Sequence, residues 1–426
     1  MENRIKLITA LGTRRYDPCR YYIEGDRGRT SSVTRFAAMG LAELAVECGQ
    51  PLEIVALETA RVKDSDNHKL LHEEFEEKRS VGGRAWELRV EEIPDGKDKE
   101  ELWQIFETLG KHIEQGDHII IDITNGFRSL PTVMISAAQY YLYLNKAADL
   151  KIYYGAFESV GNTQGTAGQG REGGTPEVPI IDITLITSIS DWTYGLRLFD
   201  EHLITLPLAD QLKRTAMQED KALCEIAQII RSLDFYLRSA LPLEAGLVAS
   251  RLYSKINELN EPYFKKSIIG QFLSKLRDTL KGIKLDVSEK QEIALNREEL
   301  LRQSELIERY LAVNDLNSAI VILREWLVSF CIWADGDQNK IHKWRTNSIR
   351  KKYSSKLNEN KGIQNIHVFQ KLRQLWEDEG IKNIRNTFAH AAIQEDEEVF
   401  SSPEEETKRI GKSVKNLRRL LEENET

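Results

Sequence analysis

Two patterns of apolar positions divide the chain at about residue 190. Before that point, short continuous apolar runs alternate with stretches in which apolar residues recur at helical spacing. Continuous apolar strands separated by amphipathic helices are typical of a parallel sheet that is covered on both faces. The pattern predicts, in order, strand 5–12, helix 31–49, strand 52–57, helix 100–115, strand 118–124, helix 131–144, and strands 150–157 and 179–183. The first part of the chain is therefore predicted to be an α/β domain.

After residue 190 the spacing is helical throughout, and glycine and proline become rare. This half is predicted to be all-α. Its predicted helices are 219–241, 246–260, 264–283, 289–312, 315–334, 364–393 and 403–423.

A glycine-rich stretch, 161–179, separates the last two predicted strands. It contains six glycines and two prolines. Such a stretch predicts a loop, and either a disordered excursion or a flap over a ligand fits the composition. The strand that follows, 179–183, could pair with 150–157 as a hairpin or lie at an edge of the sheet.

Composition limits the class of protein. A length of 426 residues suggests two or three domains, and no run of about 20 apolar residues predicts a membrane span. No long apolar signal core follows the N-terminus. The four cysteines are scattered and form no CxxC or Cys–His spacing, which favours reduced cytoplasmic thiols and no cysteine-based metal site. They are Cys19, Cys48, Cys224 and Cys331.

The charge distribution changes what the net charge suggests. The net charge of −8 argues against a generic nucleic-acid binder. However, 340–390 holds twelve Lys and Arg against four Asp and Glu, so this segment is strongly basic. It also contains Trp344, Tyr353 and Trp376, and basic residues interleaved with aromatic ones suit contact with RNA. A solvated lysine-rich loop is the alternative.

Polar clusters follow two of the predicted strands, where a parallel sheet presents its ligand crevice. The first cluster is 11–16 and the second is 122–131. Arginines there could bind phosphates, hydroxyl groups could bond ribose or base, and the next helix could hold phosphate at its free N–H groups. A simple turn with a capping residue is the alternative. The candidate ligand-binding residues are Gly12, Thr13, Arg14, Thr124, Asn125, Gly126, Arg128 and Ser129. A G-x-G-x-x-G motif is absent, which disfavours a nicotinamide-dependent enzyme.

These two clusters, with 32–36 and 153–156, resemble the CARF domains of CRISPR-associated proteins, in the group with an Asp-x-Thr-His-Gly motif. The resemblance covers roughly 1–190, and Asn125 stands where the family usually has histidine. It implies a Rossmann-like domain that dimerises and binds cyclic oligoadenylate across the two-fold axis. Any ligand contact or ligand cleavage that depends on that histidine is not implied here.

A second candidate site lies in the helical half, at Arg385, Asn386 and His390. Residues five positions apart on a helix point about 140° away from each other, so Arg385 and His390 need a distortion or a second subunit to meet. Together these groups could cleave RNA without metal. Histidine would move the proton of the 2′-hydroxyl or of the 5′-oxygen, arginine would stabilise the phosphorane, and the asparagine would orient either one. An ordinary surface arginine and a partly buried histidine are the alternative.

The same stretch resembles the Arg-Asn-x-x-x-His signature of HEPN ribonucleases, α-helical domains that act as dimers. The upstream helix with Glu325 resembles the acidic helix of these domains, which makes Glu325 a supporting residue; a plain ion pair is the alternative. Lys351 and Lys352 are the candidate RNA-binding residues.

The two resemblances together imply an α/β Rossmann-like CARF domain (1–190), a helical connecting region (191–300) and an all-α HEPN ribonuclease domain (301–426). The implied protein is a type III CRISPR ancillary endoribonuclease that is cytoplasmic, needs no metal and makes no membrane contact. Its implied activator is cyclic oligoadenylate, with the tetra-adenylate ring expected from the family. Single-stranded RNA is the implied substrate, and the implied assembly is a homodimer or a higher oligomer. A ligand-binding regulator without nuclease activity and a ring nuclease that opens cyclic oligoadenylate are the alternatives.

Overall fold

A computed structural model describes most of the chain, which divides into two compact units, Met1–Ser188 and Ile189–Thr426. Each unit is treated separately below. The described residues are 4–47, 49–81, 84–126, 129–157, 175–216, 220–260, 268–359, 366–374, 376, 381–389 and 403–423. The glycine-rich stretch 161–174, Cys48, Arg128 and His390 lie outside them.

Within the described residues, the first unit is built on one sheet of seven strands. The strands are β1 (Ile5–Ala10), β2 (Arg20–Ile23), β3 (Leu52–Glu58), β4 (Trp86–Glu92), β5 (His118–Asp122), β6 (Asp149–Gly155) and β7 (Glu177–Asp182). Their order is β2-β7-β6-β5-β1-β3-β4, and every neighbouring pair is parallel except β6 with β7. The predicted α/β fold class is confirmed.

Helices cover both faces of this sheet because the strands are apolar on both sides. The helices are α1 (Ala37–Ala45), α2 (Ala60–Lys63), α3 (Asp66–Ser80), α4 (Lys99–Gly110) and α5 (Leu130–Leu144). One buried cluster joins α1 and α3 to the sheet, and the other joins α4 and α5 to its opposite face. This layering leaves the carboxyl edge of the sheet open for a ligand.

The helix predicted over 31–49 is wrong at its start, since α1 begins only at Ala37. The residues before it run along the short edge strand β2. Ser31 Oγ accepts a hydrogen bond from Tyr21 N at 2.9 Å, and Thr34 O accepts one from Cys19 N at 3.0 Å. Pairing with β2 thus overrides the helical spacing. The predicted hairpin partner is confirmed, because β7 runs antiparallel to β6, although β2 rather than β7 forms the edge.

The second unit is helical throughout its described residues, as predicted. Its helices are α6 (Leu185–His202, which starts in the first unit), α7 (Leu206–Thr215), α8 (Lys221–Arg238), α9 (Pro242–Asn257), α10 (Ile268–Leu280), α11 (Arg297–Ala312), α12 (Leu316–Ala334), α13 (Gln338–His342), α14 (Asn347–Glu359), α15 (Ile366–Arg373), α16 (Ile381–Ala389) and α17 (Pro403–Glu423), with a 3₁₀ turn at Lys290–Glu292. One continuous hydrophobic core runs from Trp192 to Leu421.

Two helix predictions in this unit need correction. The helix predicted over 289–312 begins at Arg297, because Asn296 caps it by accepting a hydrogen bond from Glu299 N at 2.8 Å. The single helix predicted over 364–393 corresponds to two described helices, α15 and α16.

Helix α12 is the central element of the helical core. Among the described helices it alone is long and apolar enough, by length and composition, to cross a membrane. Most of its apolar side chains, among them Trp326 and Phe330, are buried inside the unit. Its hydrophobicity is therefore explained by packing.

His112 is expected to make the stability of the first unit sensitive to acid. The side chain is buried, and neither ring nitrogen has a hydrogen-bond partner among the described residues, although Glu91 lies 3.3 Å from Nε2. Burial lowers the pKa of His112, and Glu91 only partly opposes this effect. The neutral ring is thus favoured in the folded state.

We expect thermal stability to fall as the pH drops below about 6.5, the usual pKa of histidine in an unfolded chain, toward the lower pKa of the folded state. His112→Leu removes the group that must take up this proton. Thermal unfolding at pH 7.5 and pH 5.5 should therefore show a smaller acid-induced loss in the variant. An equal loss in both proteins would contradict the role of His112.

Candidate functional site

The first candidate site lies where β5, β1 and β3 end side by side. These strands are parallel neighbours, so their carboxyl ends meet at one edge. Thr9 is aligned with Asp122 at the end of β5, and Leu11 N donates a hydrogen bond to Leu57 O at 3.0 Å. The structure thus brings the two predicted polar clusters to neighbouring positions.

Asp122 organises this edge. The carboxylate is fully buried and accepts hydrogen bonds from Thr9 Oγ1 at 2.8 Å and from Thr124 N at 3.0 Å. Burial raises its pKa, and the hydrogen bonds from Thr124 and Thr9 offset part of that effect. Asp122 therefore acts as a buried anchor for the turn that follows β5.

Thr124 connects β5 to β6 through its hydroxyl group. Oγ1 donates to Asp122 and accepts a hydrogen bond from Gly155 N at 2.8 Å. Its hydrogen-bonding capacity is thus used inside the protein. The predicted contact of this hydroxyl with ribose stays a prediction, while the position of Thr124 indicates a role in holding the turn.

The turn after Thr124 requires glycine. Gly126 has a positive φ of 119°, and a Cβ there would lie 3.2 Å from Leu130 Cδ2 and 3.4 Å from Ala10 Cβ. Gly126 is exposed and Asn125 is half-buried, so both lie near solvent at the edge. Ser129 is the residue before α5, and its hydroxyl forms no side-chain cap. Arg128 lies outside the described residues.

The loop that follows β1 is fastened from two sides. Gly12 N donates to the phenol oxygen of Tyr16 at 2.6 Å. The buried side chain of Asn67, in the first turn of α3, donates to Gly12 O and Arg14 O at 2.7 Å each. The Thr13 and Arg14 side chains are exposed. The loop thus has a fixed backbone and free side chains.

Tyr16 is electrostatically linked to the other cluster. Burial raises the pKa of Tyr16 to about 12; the hydrogen bond to Gly12 opposes this shift, and the nearby Asp122 carboxylate adds to it. Its ring packs edge-on against Phe36, with centroids 5.6 Å apart. The phenol therefore stays protonated, and the effect of Asp122 on its pKa links the first cluster to the second.

Sequence reasoning missed Asn67 and the neighbouring pair Glu58–His68. Asn67 has no motif around it, because its partners are backbone carbonyls more than fifty positions away in the chain. Glu58 accepts a hydrogen bond from His68 Nδ1 at 2.7 Å at the end of β3. Only the adjacency of β1, β3 and α3 brings these residues to the edge.

Asn67→Asp is expected to weaken ligand binding by about 10-fold or more. A carboxylate cannot donate to two carbonyl oxygens, and losing such bonds costs about 1–3 kcal/mol. That cost reduces the population of the binding-competent loop and raises the apparent Kd by the same factor. Titration of the protein with cyclic tetra-adenylate measures the change.

Asn145→Asp is the matched control, because Asn145 Nδ2 donates to Ile113 O at 2.6 Å away from the candidate site. It should lower the melting temperature without changing ligand affinity. Equal Kd values for the Asn67 variant and the wild type would contradict the role assigned to Asn67.

The second candidate site lies on α16 in the helical unit. Ile381 and Ile384 are buried and fasten this helix in the core, where it packs against α12. Arg385 and Asn386 are half-buried, and Arg385 Nη1 donates to Asn386 Oδ1 at 3.1 Å. His390 lies outside the described residues, so its distance from Arg385 stays untested.

Glu325, the predicted supporting residue, joins two helices. Its carboxylate accepts from Arg350 Nη2 at 2.6 Å and from Nε at 3.1 Å, and Arg324 also binds it. Burial of the carboxyl acts to raise its pKa, but Arg350 and Arg324 outweigh burial and hold the pKa below its usual range. These contacts agree with the alternative, an ion pair between α12 and α14, and the role of Glu325 as a supporting residue of the site stays a prediction.

The aromatic residues of the basic segment do not face solvent, which corrects the suggestion that they would contact RNA. Trp344, Tyr353 and Trp376 are buried in the helical core. Trp344 Nε1 donates to Ile293 O at 3.2 Å, and Tyr353 OH donates to Asp335. Their burial follows from their size, because large rings in a basic segment still supply apolar area to a core. Lys351 and Lys352 are exposed on α14 and stay available to a polyanion.

No described group of three or more His, Cys, Asp and Glu side chains is arranged to hold a metal ion. The described site residues offer hydrogen-bond donors, a guanidinium group and an amide. These groups suit phosphate and nucleotide recognition.

These features define a two-unit protein, with a candidate nucleotide site on an α/β sheet and a helical unit that carries an Arg-Asn pair. The chain is 28% identical over 206 residues to CRISPR-associated protein MJ1674 of Methanocaldococcus jannaschii, a match that covers 47% of this chain and only 29% of that relative's length. No family model matches the sequence. A similar solved structure is Enterococcus italicus Csm6 bound to cyclic hexa-2′-fluoro-hexa-dAMP, with a TM-score of 0.42, 11% identity, and coverage of 98% of this chain and 93% of that one.

Over about half of its length the chain is thus similar to a CRISPR-associated protein, and its own fold agrees with the two sequence resemblances. The α/β unit stands first and the helical unit second, as the two sequence resemblances require.

Proposed function

We propose that the protein is a CRISPR-associated endoribonuclease that cyclic oligoadenylate activates. The observation that carries the proposal is the carboxyl edge of the sheet, where the loops after β1 and β5 lie side by side. The CRISPR-associated name of the relative supports it. The sensor would be 1–190, the connector 191–300 and the effector 301–426. The connector and the effector share one hydrophobic core.

The ligand edge combines a fixed backbone with free polar groups. Asn67 and Tyr16 hold the first loop, while Asp122 and Thr124 hold the second. The exposed Arg14 side chain supplies a guanidinium for phosphate, and the free N–H groups at the start of α5 favour an anion. A ring of adenylates offers phosphates, ribose hydroxyls and bases to these groups.

The helical unit would cut single-stranded RNA with Arg385, Asn386 and His390. His390 would take the proton of the 2′-hydroxyl, whose oxygen attacks the adjacent phosphorus while the 5′-oxygen leaves and is protonated. Arg385 would stabilise the charge on the phosphorane, and the Arg385–Asn386 hydrogen bond would orient the guanidinium. The products would be a 2′,3′-cyclic phosphate and a 5′-hydroxyl, and no metal takes part.

A homodimer or a higher oligomer would complete both sites. A single Arg–His set is a small catalytic apparatus, and two sets from two subunits would form a composite one. Ligand binding would then shift the equilibrium between two arrangements of the dimer. The exposed Lys351 and Lys352 would contact the RNA backbone, which makes cleavage sensitive to salt.

The decisive experiment incubates the full chain with labelled single-stranded RNA, a panel of cyclic oligoadenylates and EDTA. The proposal expects cleavage with one ring size, cyclic tetra-adenylate, and little cleavage without it. Ligand binding without cleavage would favour a regulator that lacks nuclease activity. Conversion of the ring alone to a linear product would favour a ring nuclease, and cleavage that EDTA abolishes would exclude the metal-free mechanism.

A further inference from the structure

A buried carboxylate and a histidine form a pair at the ligand edge that the proposed function leaves without a role. Glu58 is the last residue of β3, and its side chain is almost completely buried. Its Oε2 lies 2.7 Å from His68 Nδ1. Its Oε1 is also buried and has no hydrogen-bond partner among the described residues. Among the described side chains, His68 is thus the hydrogen-bond partner of this carboxylate.

The position of the pair follows from the sheet. Ala10 of β1 is aligned with Leu57 of β3, so the next residues, Leu11 and Glu58, lie beside each other just before the Gly12 loop. On α3, His68 directly follows Asn67, which holds Gly12 O and Arg14 O. His68 therefore lies next to the Gly12 loop for two reasons. It contacts Glu58 at the end of β3, and it follows Asn67, which binds the loop.

The contact with Glu58 determines what the other ring nitrogen can do. A carboxylate only accepts hydrogen bonds, so Nδ1 carries the hydrogen and Nε2 of the neutral ring is an acceptor. The Nδ1 edge faces the buried carboxylate, while the side chain as a whole keeps 28% of its surface exposed. No described residue forms a hydrogen bond with Nε2. His72 only packs against the ring, with centroids 4.8 Å apart.

We propose that His68, oriented by Glu58, accepts a hydrogen bond from a ribose 2′-hydroxyl of the bound ligand and thereby selects ribonucleotide over deoxyribonucleotide rings. This inference rests on the proposed function. Phosphate oxygens only accept hydrogen bonds and do not match a neutral Nε2. The 2′-hydroxyl is a donor next to the 3′-phosphate, and it is the group by which proteins distinguish RNA from DNA.

The test measures the binding of two ligands to each of three proteins. The ligands are cyclic tetra-adenylate and its fully 2′-deoxy counterpart, and the proteins are the full-length wild type, His68→Ala and His118→Ala. His118 is the matched control, because its Nδ1 lies 2.8 Å from Asp149 at the opposite, amino edge of the same sheet. Calorimetry gives the six Kd values, and thermal unfolding reports folding.

Wild type and His118→Ala are expected to bind the deoxy ring about 10-fold more weakly than the ribo ring, as the loss of a single hydrogen bond implies. His68→Ala should bind the ribo ring about 10-fold more weakly than wild type does and should no longer distinguish the two rings. If removal of the carboxylate's partner prevents folding, the double variant E58Q/H68A gives the same comparison, because an amide replaces the unpaired buried charge.

A His68 variant that still distinguishes the two rings as wild type does would overturn the inference, even if its overall affinity falls. A purely structural role predicts this result. If wild type binds no cyclic oligoadenylate, the proposed function fails and the inference fails with it. If wild type binds both rings equally, only the inference fails.

Discussion

His390→Ala is expected to reduce ligand-activated RNA cleavage by about 10²- to 10⁴-fold, the usual contribution of general acid–base catalysis. The residue follows α16, which carries Arg385 and Asn386, and histidine suits proton transfer at neutral pH. Binding of cyclic tetra-adenylate should stay unchanged, because the ligand edge lies in the other unit. Cleavage rates with saturating ligand and binding titrations measure the two effects.

His342→Ala is the control for this prediction. His342 is an exposed histidine at the end of α13 in the same unit, and its loss should leave cleavage unchanged. Full activity of the His390 variant, together with inhibition by EDTA, would exclude the proposed mechanism. A loss of ligand binding in that variant would point instead to misfolding.

Thr124→Val is expected to raise the ligand concentration for half-maximal activation by about 10-fold or more. Valine keeps the shape of threonine but removes the hydroxyl that joins Asp122 to Gly155 N. The loss of these hydrogen bonds costs about 1–3 kcal/mol and loosens the turn before Gly126. Basal cleavage should change less, since this turn belongs to the α/β unit and the Arg385–Asn386 pair belongs to the helical unit. Activation curves against cyclic tetra-adenylate measure the shift.

The control for the Thr124 variant is a second threonine in a similar setting. Asp182-Ile183-Thr184 repeats Asp122-Ile123-Thr124 in sequence, and Thr184 N donates to Asp182 Oδ1 at 2.9 Å. Thr184 Oγ1 accepts a hydrogen bond from Ile152 N at 2.9 Å, as Thr124 does from Gly155 N. Thr184→Val should therefore lower the melting temperature without shifting activation. Similar activation curves for the two variants would contradict a specific role for Thr124.

The fold class was predictable because the decisive signal is local. The apolar run 118–124 can be satisfied only by burial on both faces, which implies a covered sheet. The edge strand β2 was missed because it has only four residues and depends on β7, far along the chain. β4 and α3 were also missed by periodicity alone. β4 has only one buried residue, Trp86, and its other residues are exposed or half-buried.

The candidate site was predictable in position but not in detail. The clusters at 11–16 and 122–131 were placed at the edge because parallel strands bring their carboxyl ends together. Whether a side chain is available to a ligand depends on the residues that pack around it in the fold. The Thr124 hydroxyl is engaged within the protein, and Trp344 and Tyr353 are buried in the core rather than facing RNA.

The sequence by itself therefore determined the two structural classes, the order of the units, the two polar clusters and the Arg-Asn-x-x-x-His stretch. These properties depend on residue type and spacing, which are local. Only the tertiary structure decided that Asn67 holds the Gly12 loop, that Glu58 orients His68 and that Glu325 pairs with Arg350. Hydrogen bonds and ion pairs act over about 3 Å, and residues far apart in sequence reach that distance only through the packing of the whole fold.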